Sequence, residues 1–154
     1  MKNMMSQVKN YNRLFIAALV VSALALFGCK DKETPVDPFV TPGTTENPNW
    51  VVTVDNNLSA SMTVVAKVSF ADQPGSLAAF IGNECCGVAK YNAEFGLYWL
   101  YISPADEAGG DVQLKFYSPE LKRIFHATTT FPFGNDTNLG SVSTPYTPSW
   151  VASN

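Results

Sequence analysis

Residues 60–70 read ASMTVVAKVSF, and apolar side chains occupy every second position of this stretch. The apolar set on one face of an extended chain is Met62, Val64, Ala66, Val68 and Phe70. Thr63, Lys67 and Ser69 fall on the other face, where Val65 is the exception. A period of two is typical of a β-strand that has one face in a core and one in water. Residues 60–70 therefore predict a strand of an antiparallel sheet.

The same pattern continues toward the carboxyl end. Residues 112–117, VQLKFY, alternate again, and turn-forming Gly, Pro, Asn and Asp residues separate the runs. No stretch after residue 50 has convincing helical periodicity. The predicted strands are 50–56, 60–70, 76–82, 85–91, 97–103, 111–118, 121–131 and 139–146. They predict an all-β fold, an antiparallel β-sandwich of seven or eight strands of the immunoglobulin-like or carbohydrate-binding-module-like kind.

One stretch has a more specific likeness. Residues 75–89, GSLAAFIGNECCGVA, followed by an aromatic strand and then VQLKFY, resemble a small β-sandwich module of Bacteroidota surface and secreted proteins. The most specific piece is the Phe-x-Gly-x-Glu-Cys-x-Gly hairpin from Phe80 to Gly87. The resemblance implies a sandwich over about 60–140 that is often attached to polysaccharide-handling proteins, although the function of the module is poorly defined. Cys86 and Ser76 stand where the pattern more often has Arg and Asp; if that Arg or Asp serves a ligand or tip contact in the module, we expect the contact to be lost here.

The aromatic strand 97–103 carries the candidate binding residues. Tyr98, Leu100 and Ile102 form the better core set, which leaves Trp99 and Tyr101 about 7 Å apart on the outer face. Two flat rings side by side suit sugars, whose C–H faces pack on π-systems. In the alternative interpretation Trp99 is covered by another part of the chain, because large aromatic side chains are usually mostly buried. The covering residue is then Trp50 or Trp150.

Two residues of the strand 111–118 are further candidates. Lys115 and Tyr117 are predicted on an outer face, and they join Trp99 and Tyr101 if the two strands are neighbours. The predicted ligand-binding set is therefore Trp99, Tyr101, Tyr117 and Lys115.

The first 28 residues have the pattern of a secretory leader. Basic residues occur in the first 13 positions without any acid, and an apolar run from Leu14 to Phe27 follows. That run spans about 21 Å as a helix, which is short of the roughly 30 Å hydrocarbon core. It ends in Leu26-Phe27-Gly28-Cys29, which resembles a bacterial lipobox with lipidation, including palmitate, at Cys29. The alternative is a plain signal peptide with an incidental cysteine.

Residues 29–49 are predicted to be a lipidated cysteine and a proline-rich tether. Four prolines between Thr34 and Asn49 favour an extended chain. Lys30-Asp31-Lys32-Glu33 resembles the acidic export signal of Bacteroidota lipoproteins, or it is simply a charged, solvated tether start. Residues 50–154 are then the β-sandwich domain. The predicted location is the outer membrane, with the domain lipid-anchored and exposed at the cell surface.

Charge excludes one class of partner. The 154-residue chain has a formal charge of −3, and without the leader seven Lys and Arg remain against 13 Asp and Glu. Nucleic-acid binding needs a basic surface, so we predict no nucleic-acid partner.

Residues that carry chemistry are sparse. Adjacent Cys85 and Cys86 point to opposite sides of a strand and are predicted to be free thiols, one packed and one partly exposed. His126 is the only imidazole and there is no CxxC spacing, so neither a metal site nor a catalytic triad is predicted. The loops with Asp106, Glu107 and Asp111 and with 135–138 could hold calcium but fit solvated turns better. We expect no cofactor and no enzymatic activity.

The sequence thus predicts an outer-membrane-anchored, non-catalytic binding lipoprotein. Its partner is a polysaccharide bound by exposed aromatic side chains. The alternative is a structural or protein-interaction module whose partner is an envelope protein.

Overall fold

The computed structural model describes residues 36–52, 60–72, 74–105 and 109–153. These residues contain strands and turns but no helix, so the predicted all-β class is confirmed. The strands are β1 (Met62–Ala66), β2 (Ser76–Ile81), β3 (Glu84–Val88), β4 (Lys90–Asn92), β5 (Leu97–Ile102), β6 (Asp111–Ser118), β7 (Arg123–Ala127), β8 (Phe131–Pro132), β9 (Thr137–Leu139) and β10 (Trp150–Ala152).

The strands form two sheets. The four-stranded sheet has the order β4-β5-β1-β9, and the six-stranded sheet has the order β10-β7-β6-β2-β3 with β8 paired to β6. All pairings between these strands are antiparallel except β1 with β9, which is parallel. The result is a sandwich-like arrangement, as the alternation predicts.

The main core lies between the two sheets and follows the predicted alternation. The inward sets predicted at 62/64/66/68, 98/100/102 and 112/114/116 are all buried in one cluster. Leu77 and Ala79 of β2, Phe125 of β7 and Trp150 of β10 complete it from the six-stranded sheet. Each strand therefore buries one face, and the other face is left to solvent or to another part of the chain.

The predicted strand 85–91 is divided, because the chain changes sheets there. β3 pairs with β2 in the six-stranded sheet, and the Ala89 amide still donates to the Leu77 carbonyl at 2.8 Å. From Lys90 onward the chain pairs with β5 in the four-stranded sheet. A period-two pattern cannot show such a crossing, because the alternation of side chains continues through it.

Other predicted strand bounds also change. The prediction 121–131 becomes β7 and β8, and the prediction 139–146 becomes β9 together with an isolated bridge between Ala66 and Tyr146. Strand β10 is not predicted from the sequence. Residues 50–52 lie outside any strand, and the rest of the predicted strand 50–56 lies outside the described residues.

The segment of residues 36–50, called the N-terminal segment below, packs on the sandwich. Phe39 stacks on Phe125 with ring centroids 5.2 Å apart and meets Phe70 edge-on at 5.1 Å. Phe125 is a fully buried core residue. Phe39 therefore adds to the core a residue that precedes the first predicted strand, 50–56.

Backbone hydrogen bonds hold the same segment to the β6–β7 turn. The Gly43 amide donates to the Leu121 carbonyl at 2.6 Å, and the Thr45 amide donates to the Lys122 carbonyl at 2.9 Å. This differs from the solvated tether predicted over 29–49. Prolines favour an extended chain, and an extended chain also offers its remaining amides to an exposed turn. The predicted leader 1–28 and Cys29 lie outside the described residues.

Candidate functional site

The four predicted binding residues lie on two different sheets. Trp99 and Tyr101 belong to β5 of the four-stranded sheet, whereas Lys115 and Tyr117 belong to β6 of the six-stranded sheet. All four project from an outer face, as predicted, because their strand neighbours are in the core. The two pairs do not join, since strands 97–103 and 111–118 are not neighbours. The condition for a single four-residue site, that the two strands are neighbours, is therefore not met.

Trp99 and Tyr101 form an aromatic surface with a third ring. Tyr101 is 60% exposed and Phe95 is 48% exposed, while Trp99 is partly buried between them and the sheet. The Phe95 and Trp99 rings meet edge to face, with centroids 6.2 Å apart. We call Phe95, Trp99 and Tyr101 the aromatic face.

The two other tryptophans do not cover Trp99. Trp50 packs on Phe80 of β2, with ring centroids 5.7 Å apart, on the outer side of the six-stranded sheet. Trp150 is in the main core, where its ring meets those of Phe70 and Phe116 at 6.1 Å. Neither tryptophan therefore covers Trp99, and residues 53–56 of the predicted N-terminal strand lie outside the described residues.

Polar side chains lie beside the aromatic face in two cross-strand rows. In the first row Lys90 of β4 pairs with Trp99, and Trp99 pairs with Val65 of β1. Cross-strand partners project from the same face of a sheet at short distance. The Lys90 and Trp99 side chains therefore lie side by side on the same face.

The second row contains neutral hydrogen-bonding groups. Tyr101 pairs with Thr63 of β1, and Thr63 pairs with Asn138 of β9. Asn138 is exposed and Thr63 is partly buried. A phenol, a hydroxyl and an amide thus follow one another across three strands, and each can donate or accept a hydrogen bond.

The turn between β4 and β5 positions Phe95. The Asn92 side chain accepts a hydrogen bond from the Phe95 amide at 3.1 Å, and the Asn92 carbonyl accepts one from the Gly96 amide at 2.9 Å. Gly96 has a φ of 65°, the left-handed region in which glycine has no steric cost. Phe95 is absent from the predicted site. The signal for it is an aromatic residue next to a turn glycine, beside a strand whose outer positions are aromatic.

Strand β5 is held firmly at both ends. The Tyr98 hydroxyl accepts a hydrogen bond from the Gly75 amide at 2.9 Å, and the Ser103 amide donates to the Cys86 carbonyl at 2.9 Å. At Gly87 a side-chain carbon would collide with the Tyr101 carbonyl oxygen, so β3 approaches the β5 backbone where only glycine fits. The last glycine of the Phe80–Gly87 hairpin therefore has a structural role, which is to support the strand that carries Trp99 and Tyr101.

The other two predicted residues have partners inside the protein. The Tyr117 ring is 6% exposed, and its hydroxyl donates to the Thr45 carbonyl of the N-terminal segment at 3.3 Å. The Lys115 ammonium lies 4.1 Å from the centroid of the Phe80 ring, a cation–π contact. A cleft of about 400 Å³ beside Tyr117, bounded by residues 43–47 and Lys122, has no exposed aromatic ring.

Both cysteines of the hairpin are free, as predicted, and both are buried. Cys86 is in the main core, and Cys85 packs with Ala78, Phe80 and Trp50 on the outer side of β2 and β3. The predicted partial exposure of one thiol is wrong, because Trp50 covers that side. Burial raises the pKa of both thiols, which keeps them in the unreactive protonated form.

The remaining candidate residues form no centre. His126 pairs with Lys115 across β6 and β7, and burial followed by the Lys115 charge lowers its pKa. Of the predicted loop 135–138, Thr137 and Asn138 belong to β9, and the Asn135 side-chain oxygen accepts a hydrogen bond from the Ser61 amide at 2.9 Å, which ties it to the residue before β1. Asp106 and Glu107 lie outside the described residues. Within the described ranges, no three His, Cys, Asp or Glu side chains are grouped to hold a metal ion.

Two further findings are independent of the aromatic face. In the part of the chain that the structure describes, no helix has the length and apolar character to cross a membrane. Comparisons with protein-family models, with curated proteins and with solved structures found no match. The aromatic face therefore has to be interpreted from its own geometry.

Proposed function

We propose that this protein is a non-catalytic lipoprotein, anchored in the outer membrane through Cys29, that binds glycans on its aromatic face. The observation that carries the proposal is the exposure of Tyr101 and Phe95 on either side of Trp99, on a sheet face whose neighbouring rows hold hydroxyl, amide and ammonium groups. The resemblance to the Bacteroidota module, with its polysaccharide-handling associations, agrees with this proposal.

The mechanism is capture without reaction. A sugar ring stacks on Trp99, and Tyr101 and Phe95 extend the contact to adjacent sugars of the same chain. Thr63 and Asn138 take the hydroxyl groups as hydrogen-bond partners. Because the face is open and the rings are few, a single site binds weakly, and many copies on one membrane hold a long polymer by multivalency.

The test is retardation of the full chain, in a neutral detergent, in native gels that contain polysaccharides. Trp99→Ala is expected to weaken retardation about tenfold or more, because ring stacking is lost. Tyr91→Ala is the matched control. Tyr91 lies on the same hairpin and is 41% exposed, but it packs against Tyr98 on the opposite side of the sheet. Equal loss in both variants, or no retardation by any polysaccharide, contradicts the glycan proposal and favours an envelope-protein partner.

The anchor has a separate test. Metabolic labelling with palmitate is expected to mark the wild-type protein in membranes and to leave Cys29→Ala unmarked. Labelling that persists in Cys29→Ala, or that is absent from the wild type, contradicts the anchor without touching the glycan site.

A further inference from the structure

The charges around the aromatic face differ from those of the chain as a whole. Seven Lys and Arg residues and 13 Asp and Glu residues follow the predicted leader, so the exported part of the chain is acidic. Lys90 nevertheless pairs across the strand with Trp99, and its side chain is exposed.

A second lysine shares this face. Lys67 directly follows β1, and its amide donates to the Tyr146 carbonyl at 2.9 Å, which keeps the chain extended there. Ala66 and Val68 on either side of it are core residues. Lys67 is exposed, so its side chain projects from the outer face. It is two residues beyond Val65, the cross-strand partner of Trp99.

The strand positions of the aromatic face carry no carboxylate, but one exposed carboxylate lies in the adjoining turn. Among the described residues, the outward positions of β1, β4, β5 and β9 hold no Asp or Glu. Glu94 is in the turn beyond the paired residues. Asp136 is at the opposite end, where its amide donates to the Ser61 carbonyl at 2.7 Å. Among the described residues, Lys67 and Lys90 border the Trp99 end against one carboxylate, Glu94 beside Phe95, so this end keeps a net positive charge on an acidic protein.

From this arrangement we infer that the glycan is an acidic polysaccharide whose sugars carry a carboxylate, of the uronic acid class. The inference rests on the proposed function. Adjacent strands lie about 4.8 Å apart, so the flexible Lys90 side chain reaches the rim of a sugar that is stacked on Trp99. Lys67 approaches the same rim from the β1 side. Charge complementarity selects the anionic polymer, and the rings supply the contact area.

The experiment compares polygalacturonate with its methyl ester, which has the same sugar backbone without the charge. The full chain in neutral detergent is expected to bind polygalacturonate more tightly, and raising the salt from about 0.05 M to about 0.5 M is expected to reduce that difference. The double variant Lys67→Gln/Lys90→Gln should bind polygalacturonate about three- to tenfold more weakly and the methyl ester unchanged. Lys115→Gln removes one lysine charge from the other sheet and should bind like the wild type.

The outcomes separate this inference from the proposed function. The acidic-glycan inference is overturned if the protein binds the methyl ester as tightly as polygalacturonate and if Trp99→Ala, but not the double lysine variant, loses this binding. Glycan binding then remains in place. Equal weakening by Lys115→Gln also overturns it, because the attraction is then a property of the whole surface. Failure to bind either polymer or any neutral glycan contradicts both.

Discussion

The two outer faces of the sandwich both carry aromatic side chains at alternate strand positions, but they differ in what lies on them. On the six-stranded sheet, Phe80 is covered by Trp50, and Tyr117 donates to Thr45 of the N-terminal segment. On the four-stranded sheet, Tyr101 remains 60% exposed. The same residue type therefore stabilises the fold on one face and is left exposed on the other. What decides between them is whether another segment of the chain occupies the face.

The largest effect that tests this difference is expected from a comparison of Phe39 and Phe95, which both lie outside the strands. Phe39→Ala should lower the free energy of unfolding by about 2 to 3 kcal/mol, because the ring packs on Phe70 and on the buried Phe125. Phe95→Ala, at a residue that is 48% exposed, should lower it by less than about 1 kcal/mol. Denaturant unfolding of the full chain, followed by tryptophan fluorescence, measures both. If Phe39→Ala lowers the free energy of unfolding as little as Phe95→Ala does, the N-terminal segment does not belong to the folded unit.

The next effect concerns the cover over Cys85. Trp50→Ala should lower the free energy of unfolding by about 1 to 2 kcal/mol and should make one thiol react several times faster with a disulfide reagent. Burial raises the pKa of Cys85, so removing the cover lowers it and increases the reactive thiolate. The fast reaction should disappear in Trp50→Ala/Cys85→Ser. Unchanged thiol kinetics in Trp50→Ala would contradict the cover.

The sequence predicts the core well because the core depends on a local property. The inward residues of 60–70, 97–103 and 111–118 follow from the alternation of side chains. All of them are buried in the main core except Phe70, which is partly buried. The N-terminal segment is different. Prolines make it extended in either case, and only Phe39 and Trp50 hold its side chains to the sandwich. Two aromatic residues in 15 are too weak a signal to distinguish a bound segment from a free tether.

The candidate site is predictable only in part, for a topological reason. Alternation places Trp99, Tyr101, Lys115 and Tyr117 on outer faces. It does not say that β5 and β6 belong to different sheets, since sheet order depends on pairings between residues far apart in the chain. Lys90 and Lys67 enter the site for the same reason, through cross-strand register and not through sequence proximity to Trp99.

A smaller effect is expected from removing one hydroxyl on each face. Tyr117→Phe should lower the free energy of unfolding by about 0.5 to 1 kcal/mol, because the buried hydroxyl donates to the Thr45 carbonyl. Tyr101→Phe should change the free energy of unfolding by less than about 0.3 kcal/mol, because an exposed hydroxyl is hydrogen-bonded to water in both the folded and the unfolded chain. Thermal unfolding of both variants beside the wild type measures the pair. A loss in Tyr101→Phe that matches Tyr117→Phe would show that the open face is also covered.

The smallest effect is a dependence on pH that arises from the covered side alone. Burial, and then the Lys115 charge, lower the pKa of His126 below its ordinary value near 6.5. The unfolded chain therefore binds a proton at a higher pH than the folded chain, and the free energy of unfolding falls as the pH drops below about 6.5. Because His126 is the only histidine, His126→Gln should lose less stability than the wild type between about pH 7 and pH 5.5. Carboxylates titrate in both proteins, so the difference between the two unfolding curves isolates the imidazole. Parallel curves would mean that His126 is as solvated in the folded chain as in the unfolded one, and that the six-stranded face is less covered than its contacts indicate.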